Sequence, residues 1–151
     1  MPPPLELLRR SDEPTLESLT CRSACRCFLL SHTIHVPTNL CVRIERTSSV
    51  VLLSSKTCNS ATSDIDKWSM HSKKPIASVD WQSIQKAFNA ADFWNLPEYV
   101  PDRGRFDYVN HVIELFDSSH YHVISRMDLD NDLQVLFDRL LILADLYQED
   151  E

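Results

Sequence analysis

Two groups of residues in this chain carry side chains suited to chemistry. The first is Cys21, Cys25 and Cys27, with His32, His35 and Cys41 close behind. Thiolates and imidazoles are the usual ligands of structural zinc. However, the C-x3-C-x-C spacing lacks the C-x2-C knuckle common in such sites. Cys27 and Cys41 also fall in apolar strand patterns, where a thiol behaves as a small hydrophobe. The expectation is that no metal is held, with Cys21, Cys25 and Cys27 the weak candidates.

The second group is His111, Glu114, His120, His122 and Arg126, all within a strand–turn–strand pattern. A carboxylate, imidazoles and a guanidinium fit acid–base or metal chemistry. Strand geometry weighs against convergence, because His111 and Glu114 are three residues apart and so face opposite sides of a regular strand. With Ser118 and Ser119 as the turn, His122 falls opposite Leu115 and His111 opposite Arg126. His111 and His122 then share a face but stand roughly 13 Å apart along it, at about 3.3 Å per residue. One metal does not bridge that distance. Glu114 shares its face with Val112 and Phe116, so it reads as a partly buried carboxylate paired with an arginine such as Arg43 or Arg46. No serine or cysteine sits in a recognisable nucleophile turn. Gly104 is the only glycine, which excludes the glycine-rich loops that cradle phosphates.

The elements that must position these residues follow from periodicity. Residues 1–20 are rich in Pro, Glu, Ser and Thr and read as a flexible arm, with room for one short helix. Residues 27–36, 40–46 and 50–55 read as successive strands of an antiparallel meander. Residues 57–66 read as a polar loop, and 67–74 as a further strand with Trp68 and Met70 on one face. From Ser78, the residues Trp81, Ile84, Ala87, Phe88 and Ala91 recur at helical spacing, with Ser78 as the cap and Pro97 as the stop. Glu98–Phe106 is a loop. Tyr108–Phe116 and Tyr121–Met127 form the hairpin. A last helix runs from about Asp130 to Gln148, with Leu133, Leu136, Phe137, Leu140, Leu143, Ala144 and Tyr147 on one face and Asp128 or Asp130 as its cap. The order gives an α+β domain over residues 21–148, with two main helices on one face of an antiparallel sheet and an acidic tail at 149–151.

The chain has 151 residues, 43% of them hydrophobic, which suits one domain with a real core. Its net charge of −7 opposes tight binding to nucleic acid or an acidic membrane surface. No apolar run reaches membrane-spanning length, and residues 1–6 lack a secretory signal pattern. Five cysteines, an odd number, point to a reducing compartment and a cytoplasmic setting.

One ordered series of residues carries a likeness. It comprises His35-x-Pro37, Val42-Arg43-Ile44-Glu45, Trp81, Phe93-Trp94-x-Leu96-Pro97, Gly104, Asp107, Glu114, and Tyr121-His122-Val123 with Arg126. It resembles a family of small bacterial domains, with no assigned activity, that ends in the pattern DG…W.lE…YHvv.rW.P. The likeness spans roughly residues 26 to 147. Here Tyr108 replaces the glycine, His111 and Met127 replace tryptophans, and the final proline is missing. The resemblance implies the fold and supplies no mechanism.

Size, acidity and the lack of a recognisable catalytic motif together point to a non-enzymatic, cofactor-free domain that binds another protein with a basic surface. An immunity or inhibitor protein that neutralises a bacterial toxin is the concrete form. The alternatives are an enzyme or metal-binding domain centred on Glu114, His122 and Arg126, and an adaptor that homodimerises through a sheet edge. The functional surface is expected where the loop after the first long helix meets the hairpin, at Arg103, Arg105, Asp107, His111, Glu114, His122 and Arg126.

Overall fold

Apolar side chains on both sides of the same strands set the architecture. In the computed structural model, which describes residues 4–19, 21–31, 38–59, 68–100 and 109–146, six strands form one antiparallel sheet. They are β1 (Ser23–Ser31), β2 (Thr38–Arg46), β3 (Val51–Asn59), β4 (Trp68–Ile76), β5 (Val109–Asp117) and β6 (His120–Arg126). The spatial order is β4-β3-β2-β1-β5-β6, so the β1–β4 meander and the β5–β6 hairpin join through β1 and β5. Three helices complete the α+β fold: α1 (Pro4–Ser11), α2 (Ser78–Ala90) and α3 (Asn131–Leu143).

Alternation along the strands divides the sheet into two surfaces. Cys25, Cys27, Val42, Ile44, Leu53, Ile113, Leu115 and Ile124 point one way. They share a core with Trp81, Ile84 and Phe88 of α2 and with Leu133, Leu136, Phe137 and Leu140 of α3. Each such buried aliphatic or aromatic side chain contributes about 1.5–3 kcal/mol. The Asp130 carboxylate caps α3 by accepting from the Leu133 amide at 2.9 Å. By contrast, Ser78 does not cap α2. The cap position is Ala77, whose carbonyl accepts from Asp80 and Trp81, and it makes no side-chain bond.

The other surface is where expectation and structure part. Phe28, Leu30, Cys41 and Val112 point the opposite way and are covered by Leu7 and Leu8 of α1. Farther along, Leu16 packs with Ala24 and Phe116. The expected flexible arm is therefore corrected over its described part, residues 4–19. Leu7, Leu8 and Leu16 match an apolar surface that would otherwise face water. Strand bounds shift as well, because β1 starts at Ser23 rather than at residue 27 and β3 continues to Asn59 through residues read as loop. The assignments to residues 32–36, 60–67 and 101–108, and to Tyr147 and the acidic tail, lie outside the described residues.

The hairpin register matches the expected one: Leu115 faces His122, and His111 faces Arg126. Its turn places Ser118 at φ 58°, a left-handed conformation that costs a non-glycine residue about 1 kcal/mol. The two sheet edges are blunted. β4 carries Lys73, Lys74 and Pro75, and proline has no N–H to offer a further strand. On β6, the Ser125 amide donates to the Glu98 carbonyl at 2.8 Å.

Candidate functional site

The most elaborate chemistry in the molecule is the charged cluster beneath residues 4–19. It grows from one row of the sheet. Arg26 on β1 lies between Glu114 on β5 and Arg43 on β2, and this row faces α1. Both neighbours are in place before any side chain is considered. The Arg26 guanidinium donates to Glu114 through two parallel bonds, Nε to Oε2 at 2.5 Å and Nη2 to Oε1 at 2.9 Å. Its Nη1 donates to the Pro14 carbonyl at 2.6 Å and to Glu13 Oε1 at 3.3 Å. Its plane lies over Phe28, 5.5 Å from the ring centroid. Arg26 is 0% exposed.

Glu13 is the second hub. Besides Arg26, its carboxylate takes Arg43 Nη1 at 3.0 Å and Lys56 Nζ at 2.7 Å. Lys56 also donates to the carbonyls of Ser11 and Asp12, which closes the turn after α1. Tyr121 completes the set by donating its hydroxyl to Glu114 Oε1 at 2.6 Å. Burial works against the charge on Arg26, but the hydrogen bonds and charge of Glu114 outweigh it and raise its pKa above the usual arginine value. Burial and the Glu114 charge likewise raise the Tyr121 hydroxyl well above the usual tyrosine range. Arg26 and Tyr121 therefore keep their protons near neutral pH, whereas a proton shuttle must titrate there.

The expected surface residues do not form one site. Glu114 shares the face of Val112 and Phe116, as alternation predicts, but its partner is Arg26 rather than Arg43 or Arg46, and Arg43 goes to Glu13 instead. His111, His122 and Arg126 lie on the opposite side of the sheet, with the helices. His111 stacks edge-on to Phe137 of α3 at 4.9 Å, and its Nδ1 lies 3.1 Å from the Arg126 carbonyl oxygen. Burial there lowers the His111 pKa. His122 Nε2 lies 2.6 Å from the Leu96 carbonyl oxygen. The Arg126 guanidinium donates to the carbonyls of Pro97, Glu98 and Ser125, and burial lowers its pKa. These two side chains fasten the chain that leaves α2 to the hairpin. Arg103, Arg105 and Asp107 lie outside the described residues.

The candidate thiols are separated too. Cys25 and Cys27 point into the helix-side core, whereas Cys21 packs beside Leu16 and Ala24 on the other side. Burial raises the pKa of all three, that of Cys27 to about 12, which disfavours the thiolate a metal needs. Among the described residues, no three His, Cys, Asp or Glu side chains are placed to hold a metal ion. His32 and His35 lie outside that set.

Sequence reasoning missed Arg26, Glu13 and Lys56. A signal for Arg26 was present: Ala24, Phe28 and Leu30 alternate with Cys25, Cys27 and Leu29, so both sides of β1 are apolar. A charged residue in a strand covered on both faces must be paired.

No family model, curated protein or solved structure matches the chain. No helix among the described residues is long and apolar enough to cross a membrane, which says nothing of a β-barrel.

Proposed function

We propose that the chain is a non-enzymatic domain that binds a protein with a basic surface, with an immunity or inhibitor protein against a bacterial toxin as its concrete form. The observation that carries this reading is how charge is sorted between interior and surface. Among the described residues, Arg26, Arg43, Lys56 and Arg126 are committed to internal contacts, against Glu13, Glu45 and Glu114 among the carboxylates. The described residues hold 12 Lys and Arg against 15 Asp and Glu, so with this inner set at +1 the described charges outside it come to −4. The described surface is more acidic than the described residues taken together. Such a surface steers a basic partner by long-range attraction and repels acidic ones.

Two further points support it. Glu114 on one side of the sheet, and His122 and Arg126 on the other, are occupied by structural bonds, which weighs against a centre built on the three. All five cysteines are free thiols, four of them buried, which suits the reducing bacterial cytoplasm. The likeness to the small bacterial domains stands as part of the same proposal.

The test is direct mixing of the full chain with the product of the neighbouring gene, followed on a sizing column and by stopped flow. A 1:1 complex is expected, with an association rate that falls about tenfold or more between low and physiological salt. If copurification from the native host recovers no protein partner and no complex forms at low salt, the reading fails. A chain that runs alone as a dimer would favour pairing through a sheet edge instead.

A further inference from the structure

A second feature lies on the helix side of the sheet. Between α2, the start of β1 and the end of β5 is a cavity of about 430 Å³. That volume is within the usual range for small-molecule sites. Trp81, Phe88, Trp94 and Leu115 give it an aromatic and aliphatic lining, and the amides of Gln82, Gln85 and Asn89 add donors and acceptors. It also has one cation, Lys86, and one anion, Asp117, so the site carries no net charge.

Two buried polar atoms in this lining have no hydrogen-bond partner among the described residues: the Trp81 indole Nε1 and the Ser23 hydroxyl. Both residues are 4% exposed. Arg43 Nε and the Trp68 indole are also unbonded; Glu45 lies 3.3 Å from the first, and the second packs beside Phe28 across the sheet, away from this cavity. Among the described residues, nothing accounts for Ser23 and Trp81. An unpaired buried donor is costly, and two beside one cavity are what a site looks like before its ligand arrives. Neither atom meets water in the structure as it stands. A ligand reaches them by displacing side chains at the mouth, where Gln82, Gln85, Lys86 and Asn89 are exposed.

We infer that this cavity binds a small, uncharged planar ring bearing an amide or lactam carbonyl beside an N–H. The carbonyl accepts from the Trp81 indole and the Ser23 hydroxyl, and the ring lies among Phe88, Trp94 and Leu115. The ligand N–H donates to the amide oxygens at the mouth. A nucleobase and a ring carboxamide share this chemistry, and uracil and nicotinamide are the respective probes. The inference is independent of the protein-binding reading.

The experiment is a titration of the full chain followed through its indole N–H resonances by NMR. The Trp81 and Trp94 signals should move and saturate with a Kd near 1 mM, the scale that so small a ligand supports. Trp68, which packs beside Phe28 on the far side of the sheet, should stay still. Benzene, which lacks the carbonyl, should bind at least tenfold more weakly. Saturation by uracil alone would assign the site to a nucleobase, and by nicotinamide alone to a ring carboxamide. Ser23→Ala removes an unpaired hydroxyl, so its melting temperature should hold or rise while affinity falls about threefold or more. Trp81→Phe keeps a ring and removes the donor, and should lose about tenfold. The proposal is overturned if no saturable shift of Trp81 appears with either probe. It is equally overturned if benzene binds as well as they do, or if Ser23→Ala binds unchanged and melts lower.

Discussion

Strands β1, β2 and β5 are buried on both faces, yet the two faces are held by different forces. Under α2 and α3 the contacts are apolar and non-directional, from Cys25 and Ile44 to Leu136 and Phe137. Under residues 4–19, a smaller apolar patch sits beside five interlocked charges and a tyrosine. An apolar face tolerates small errors of position and gains energy in proportion to area. A buried ion network gains little net energy but penalises any arrangement that leaves one member unpaired. The helix face thus supplies most of the stability. The other fixes where the N-terminal segment must lie.

Removing residues 1–14 tests this division most severely. It strips Leu7 and Leu8 from the sheet and Glu13 from three cations at once, at a combined cost on the order of 5 kcal/mol or more. Urea denaturation should show it, and a truncated chain of undiminished stability would mean that the segment is dispensable. Next in size is Arg26→Met, which leaves Glu114 buried without its cation and should cost about 3–5 kcal/mol. Adding Glu114→Leu should recover most of that loss, because an apolar pair needs no partner. If the double variant is no better than the single one, the network is more than a paired charge.

On the other face, Leu136→Ala should cost about 2–5 kcal/mol by opening a cavity. No second substitution on the sheet should restore it as cleanly, and this contrast in rescue is the sharpest measure of the difference. The smallest effect concerns pH. His111 has a pKa held below its ordinary 6.5 by burial, so the unfolded chain binds the proton more readily. Stability should be full above about 6.5 and decline as pH falls below it. His111→Gln should flatten that decline in thermal melts.

The sequence read well wherever a period repeats. The helix around Trp81 and Phe88, the helix around Leu136 and Leu140, and the hairpin register at Ser118 each rest on several residues in agreement. It read poorly where one residue decides. Glu13 sits in a polar, proline-containing stretch that has the composition of a loose arm. Its burial depends on cations from β1, β2 and β3, far away in sequence. With β1 read from residue 27, Arg26 falls just outside it, and Glu114 is offered arginines such as Arg43 or Arg46 instead. The unpaired hydroxyl of Ser23 has no signature in the chain at all. It becomes visible only once β1 and β5 are set side by side with α2.

The position of β1 has a consequence for how the protein is made. β2 follows it closely, but its other neighbour, β5, comes only after the whole meander and α2. A ribosome therefore delivers Arg26 long before Glu114, and Glu13, Pro14 and Phe28 are early partners. Until residues 109–117 emerge, one edge of β1 stays open in the nascent chain, next to apolar Phe28 and Leu30. Arrival of β5 seals that edge and neutralises the arginine in a single event, so a stall in translation before Val109 would leave the chain at its most aggregation-prone.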